Sequence, residues 1–431
     1  MNTWQLRERA QATLAKETGY IIKPHADRLR VALAFPNTYW VGMSNLGFQT
    51  VYRLLNAQDD VVCERFFLPP KQELAEMVGA KVPPVTIESQ TPINDFDVIA
   101  FSVSFEWDYV NVLTLLRMAG IPRYASERST RHPLVVIGGA VTFVNPEPLA
   151  PFADVIAAGE GEELVPALAA AFRAATSRDD LLQQLATQRG FYVPSFYEPQ
   201  YDGSGSLSGY ALSAGRTGSL PVRKAAVKTT DALDPPATSI FTPDTEFGSR
   251  FLVEVVRGCA NLCRFCWAGY NYLPVRAFPT DRILELAEAA RPHASRVGLV
   301  SIALCDHPDI ERILSRLHET GYSISPASLR LDAASLAGRT IGGRLSPGRH
   351  PGVAQSGRKL QTVRAAPAPE ARGPRGQGPA DARHHRSATR TTGERHDLGR
   401  RAHGPGQGAS GAAILGRHRQ PREGDGGGLR A

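Results

Sequence analysis

Cys259, Cys263 and Cys266 fall within eight residues, in a CxxxCxxC run between Arg257 and Trp267 that directly follows the apolar stretch Phe251–Val256. Three thiolates this close in sequence can close on one metal centre. Three is one fewer than a structural zinc or a fully cysteine-held iron–sulfur cluster takes. A cluster held by three thiolates keeps one iron open, and an open iron can bind a small molecule and do chemistry on it. Two other readings stand beside this one. A structural zinc would need a distant fourth ligand, for which Cys305 and His307 are the candidates, but no second short Cys/His hook is visible. A disulfide fits poorly with five cysteines in 431 residues and no signal-peptide pattern, which predict a reducing, cytoplasmic setting.

The spacing, the preceding strand and the aromatic residue before the third cysteine resemble the radical S-adenosylmethionine (SAM) enzymes. The resemblance implies that Cys259, Cys263 and Cys266 hold a four-iron, four-sulfur cluster. It implies that S-adenosylmethionine chelates the open iron, and that a reducing electron donor is a partner. It also implies that Phe265 and Trp267 shield the cluster from water. On the same resemblance Asp306, at the end of the second barrel strand, takes the place of a motif that holds the cofactor's amino group; capping the following helix is its alternative role. Ser328 and Arg330 fall where relatives build the ribose and carboxylate side of the pocket.

Further upstream, apolar runs alternate with helical periods. Leu29–Phe35, Val61–Phe67, Asp97–Ser104, Leu134–Gly139 and Asp154–Gly159 read as strands, and Phe48–Gln58, Asp108–Gly120 and Gly161–Ala175 as helices. Apolar strands alternating with helices predict an α/β fold with a doubly wound (Rossmann-like) parallel sheet, whose ligands bind at the carboxyl ends of the strands. Those ends are rich in small and polar residues: Asn37, Gly42, Ser44, Gly47, Ser102, Ser104, Gly138 and Gly139. They resemble the cobalamin-binding-like domain that precedes the barrel in one branch of the radical SAM superfamily, which makes cobalamin a further implied cofactor. The branch's Asp-x-His-x-x-Gly motif is absent, and the glycine pairs read equally well as tight turns.

A connecting segment over 190–249 holds a turn at Tyr201–Ser206 and two expected short strands, Leu220–Lys224 and Thr238–Phe241. An incomplete radical SAM (β/α) partial barrel is expected over 250–334. Its strands are Phe251–Val256, Arg296–Ile302 and one starting at Ser325. Its helices are Asp281–Ala290, capped by Thr280 or Asp281, and Pro308–Glu319. A half barrel is expected to leave an open sheet edge and to aggregate. The full division is an N-terminal helical lead over 1–28, the α/β domain over 29–189, the connector, the partial barrel and a tail over 335–431.

The tail contains no Phe, Trp or Tyr and holds 20 of the 40 glycines. Such a composition cannot offset chain entropy by burial, so the tail is expected to be disordered, or an out-of-frame read. The net charge of +7 belongs to it: residues 335–431 carry 18 Lys/Arg against 6 Asp/Glu. The folded part is slightly acidic and gives no warrant for a nucleic-acid surface. No apolar run reaches membrane-spanning length. Two functional classes remain from sequence: a radical SAM enzyme of unnamed substrate, with methyl transfer or rearrangement as candidate reactions, and a non-catalytic truncated product that keeps a metal-binding loop.

Overall fold

The computed structural model describes residues 2–327. The first helix, α1 (Thr3–Leu14), starts at a capping box. The Asn2 side chain accepts from the Gln5 N–H, and the Gln5 side chain accepts from the Asn2 N–H. In chain order there follow β1 (Leu29–Phe35), α2 (Tyr39–Met43), α3 (Leu46–Asn56), β2 (Val61–Phe67), α4 (Lys71–Ala80), β3 (Val98–Ser102) and α5 (Tyr109–Met118). Then come β4 (Leu134–Gly138), β5 (Val155–Ala157), α6 (Gly161–Ala174), α7 (Arg178–Ala186) and β6 (Phe191–Tyr192).

These strands build a six-stranded sheet in the order β2-β1-β3-β4-β5-β6. The first five strands are parallel and β6 runs antiparallel to β5. The chain reverses its direction of travel between β1 and β3, which is the switch point of a doubly wound sheet. Period-2 alternation assigns the faces. Val31, Leu33 and Phe35 pack under α3, α6 and α7, while Ala32 and Ala34 share a core with Ile99, Phe101 and the Val112, Leu115 and Leu116 side chains of α5.

A hairpin of β7 (Tyr197–Tyr201) and β8 (Leu207–Leu212) follows. Its turn is held by the Asp202 carboxylate, which accepts from the N–H groups of Ser204 and Ser206. The expected strands at Leu220–Lys224 and Thr238–Phe241 do not form. That part of the chain makes isolated bridges, Ala237 to Val253 and Phe241 to Thr18, because each touches a neighbour at a single residue.

The second sheet contains β9 (Phe251–Arg257), β10 (Arg276–Ala277), β11 (Arg296–Ser301) and β12 (Ser323–Pro326), in the order β10-β9-β11-β12. Three of its strands are parallel, and β10 runs antiparallel along Val256 and Arg257. Helices α8 (Trp267–Asn271), α9 (Thr280–Ala290) and α10 (Ile310–Glu319) connect them. Phe251, Val253, Val255, Val297 and Leu299 pack against Ile283, Ala287, Ile313 and Leu317 of α9 and α10. Neither Thr280 nor Asp281 caps α9. Pro279 holds the cap position, and the Thr280 hydroxyl donates instead to Asp309 Oδ2 at 2.8 Å. The expected tail lies outside the described residues. Among the described residues no helix is long and apolar enough to cross a membrane.

One charged residue is fully buried on β2, the edge strand of the first sheet. Arg65, in the middle of β2, has no exposed side-chain surface. Its guanidinium reaches Glu17 Oε2 at 2.6 Å and Glu88 Oε1 at 2.7 Å, and its own N–H donates to Glu88 Oε2. This ion triad ties the segment after α1 and the loop before β3 onto β2. Breaking a buried pair from one side leaves an uncompensated charge. Arg65→Leu is therefore expected to lower unfolding free energy by about 3–5 kcal/mol, measured by urea denaturation. A loss below about 1 kcal/mol would refute the assignment.

Candidate functional site

The carboxyl ends of the first sheet and one face of the second enclose a cavity of about 1480 Å³, above the ~300–1,000 Å³ usual for a small-ligand pocket. Strand alternation decides what the second sheet contributes. Leu252 and Glu254 of β9, which do not pack under α9, line the cavity, as do Val256 at the strand's end and Gly298 and Val300 of β11. From the first sheet come the loops after β1, β3, β4 and β5. Two side-chain bonds stitch the loops at the switch point: Asn37 Nδ2 donates to Asp108 Oδ1 at 2.9 Å, and Asn45 Nδ2 to Ser104 Oγ at 3.1 Å.

The three-cysteine loop leaves β9 at the rim of this cavity, where Arg257 and Gly258 are lining residues. Gly258 has φ +89°, and a Cβ there would lie 2.5 Å from the Tyr272 carbonyl oxygen, so this position requires glycine. All three thiols are free; Cys259 is buried, Cys266 half-buried and Cys263 exposed. The Asn261 amide donates to Cys259 Sγ at 3.3 Å, and the Cys266 N–H donates to the Cys263 carbonyl at 2.9 Å. The thiols share one loop but are not gathered: among the described residues no three His, Cys, Asp or Glu side chains stand close enough to hold a metal ion.

The zinc reading loses its imidazole. His307 is buried, with Nε2 2.8 Å from the Phe278 carbonyl and Nδ1 accepting from the Asp309 N–H at 3.0 Å. Both ring nitrogens are committed to holding the loop before α10. The loop's own donors are its three thiols, and Cys305, a free thiol, is left as the other candidate fourth ligand. The expected aromatic shield is also only half present. Trp267 packs on Tyr272 and Phe143, at ring separations of 5.5 and 6.4 Å, but Phe265 at the loop tip is 92% exposed.

A buried charge cluster anchors this loop to the first sheet. Arg257 Nη2 bonds Glu254 Oε2 at 2.7 Å and Glu162 Oε1 at 2.8 Å, and Nη1 stands 3.2 Å from Glu160 Oε2. Arg276, on β10, closes on Glu160 with bonds of 2.7 and 2.8 Å. Burial works against the charge of Arg257, yet Glu254 and Glu162 outweigh it and hold its pKa well up. Burial likewise acts to raise the Glu160 pKa, but Arg276 and Arg257 outweigh it and hold the carboxyl below its usual value. No sequence period marks this cluster. Its members come from residues about a hundred positions apart, and the one available signal was the Gly159–Glu162 turn at the end of β5.

The other sequence candidates separate by position. Ser44, Gly47, Ser102, Ser104, Gly138 and Gly139 line the cavity. Gly42 packs inward instead; a Cβ there would lie 2.4 Å from the Phe67 ring. Gly139 has φ +98°, and its Cβ direction is filled by the Val103 backbone at 2.4 Å, so close packing and a turn account for both glycines. Asn37 is spent on Asp108 and on the Thr38 N–H. Asp306 sits in a short turn after β11, and the N-cap position of α10 belongs to Asp309. Ser328 and Arg330 lie outside the described residues.

Residues 47–194 match the family model of the N-terminal region of radical SAM proteins. An uncharacterized protein of Methanocaldococcus jannaschii is 24% identical over 304 residues, covering 70% of this chain. The chain spans 55% of the length of that relative.

The charge cluster generates a pH prediction. A carboxyl whose folded pKa is depressed contributes stability that is present above its unfolded value, here 4.5, and is lost as pH falls through the folded value. Hydrogen-exchange protection of the β9–β10 amides beside the cluster, the Phe278 N–H among them, is expected to fall on acidification below about 4.5. In Glu160→Gln that protection is expected to be low already at neutral pH. Equal protection in the two proteins across this range would count against the anchoring role.

Proposed function

We propose that this chain is the cluster-bearing part of a radical S-adenosylmethionine enzyme. The observation that carries the reading is the placement of Cys259, Cys263 and Cys266 on one loop at the carboxyl end of a parallel strand, at the rim of a large cavity. The family match over 47–194 supports it from an independent part of the chain.

In this reading Cys259, Cys263 and Cys266 hold a four-iron, four-sulfur cluster. With S-adenosylmethionine bound, that centre supplies one-electron cleavage of a sulfonium bond. The chain's own residues do the rest. Gly258 and Arg257 fix where the first thiolate stands. The Asn261 amide places a donor against the Cys259 sulfur, a contact of the kind that tunes cluster potential. Trp267, Phe143 and Tyr272 cover one side of the loop with ring surface. Glu254 and Glu162 present carboxylates at the cavity wall, neutralised by Arg257. A corrin is not part of the reading: Gly42 and Gly139 face protein atoms, and no histidine lines the cavity among the described residues. The domain division read from sequence, a reducing compartment and an external electron donor belong to the same proposal.

The experiment is anaerobic reconstitution with iron and sulfide, followed by iron analysis and electron paramagnetic resonance after reduction. The parent chain is expected to take up close to one cluster and to release 5′-deoxyadenosine from S-adenosylmethionine. Cys259→Ala, Cys263→Ala and Cys266→Ala are each expected to lose the signal. Stoichiometric zinc without iron uptake would support a metal-binding loop without radical chemistry.

A further inference from the structure

A second site lies in the same cavity at the end away from the cysteine loop. Phe251 pairs with Val297 across β9 and β11, so Arg250 and Arg296 stand side by side at the amino ends of these strands. Both line the cavity. Like charges directly opposite on neighbouring strands are destabilising, yet neither arginine has a carboxylate partner among the described residues.

Arg250 is built into the cavity floor. Its stem crosses the second sheet over Gly298, where a Cβ would lie 3.2 Å from Arg250 Cδ and 2.6 Å from Leu252. The missing side chain on β11 is what lets the guanidinium reach β12, where Nη1 donates to Ser325 Oγ at 3.2 Å. Phe247 lies beneath the guanidinium at 6.0 Å. Arg250 Nε is buried with no hydrogen-bond partner. An unmade bond on a buried charged group is costly, and two unpaired guanidiniums add repulsion to that cost. Burial, followed by the charge of Arg296, accordingly holds the Arg250 pKa below its ordinary value. The guanidinium fork is suited to a phosphate or a carboxylate, and one anionic group would satisfy the Nε–H and relieve the repulsion.

We propose that Arg250 and Arg296 form an anion-binding subsite that takes the phosphate or carboxylate group of a ligand occupying the cavity. The subsite does not depend on the cysteine loop's metal, so it stands or falls separately from the radical reading.

The test is calorimetric titration of the full chain with inorganic phosphate and with acetate, against a chloride control. Arg250→Gln and Arg296→Gln are each expected to weaken anion binding at least about tenfold. Arg296 is exposed, so its replacement keeps the test open even where Arg250→Gln disturbs folding. Tighter binding of phosphate than of acetate assigns a phosphorylated ligand, and the reverse a carboxylate. As a residue-level readout, the bound anion is expected to slow phenylglyoxal modification of Arg250, followed by mass spectrometry. Binding no tighter than chloride, or unchanged in both variants, overturns the proposal.

Discussion

The arrangement depends on one guanidinium. Arg257 ends β9, the strand that delivers the cysteine loop, and its side chain is claimed by Glu254 from its own strand and by Glu160 and Glu162 from the end of β5. Three carboxylates this close would repel one another. Arg257 and Arg276 together make their juxtaposition tolerable, and the whole group is largely withdrawn from water. A buried ionic cluster of this kind contributes little net stability compared with apolar packing. What it does fix is geometry, because the charges satisfy one another in one docking of the two sheets. The same residue that aligns the sheets is two positions from the first thiol, so sheet docking and loop position are one constraint.

The cavity follows from the period of a strand. In β9 Phe251, Val253 and Val255 pack against α9 and α10 while Leu252 and Glu254 face the cavity, and the alternation ends at Val256 and Arg257, where the register with β11 shifts. β11 repeats the pattern, with Val297 and Leu299 inward to the helices and Gly298 and Val300 toward the open face. The charges along this wall are segregated. Carboxylates and their arginine gather near the cysteine loop, while unpaired arginines occupy the far end. A ligand in this space would meet a polarised environment along its length.

The sequence made the backbone of the fold readable where local pattern and tertiary burial agree. Val61–Phe67 is a mostly apolar run and is β2 to the residue, as Leu29–Phe35 is β1, and the helix read over Gly161–Ala175 ends one residue earlier, at Ala174. Helix α7 was missed because its polar stretch shows only a weak apolar face, and α4 because little of it is buried. Arg65 was not singled out in that run, and only the approach of Glu17 and Glu88 from distant segments explains its burial. His307 looked like a metal ligand because residue type alone cannot reveal that both ring nitrogens are already used. The small residues at the strand ends were legible as cavity lining for six of eight positions. Asn37 and Gly42 were not, since an amide already bonded to a neighbouring loop and a glycine needed by a neighbouring ring look the same in sequence as ones left open for a ligand.

Gly258 carries a last consequence. Its close approach to the Tyr272 carbonyl pins the two feet of the cysteine loop against each other, fourteen residues apart, and β10 then returns along β9. The loop is thus a lasso with a fixed knot. Whatever rearrangement draws three thiols together can be absorbed inside the noose, by Leu262 in its left-handed conformation and by the exposed tip at Phe265. The strands outside the knot need not move, so in the proposed function a cluster would meet a scaffold already in place.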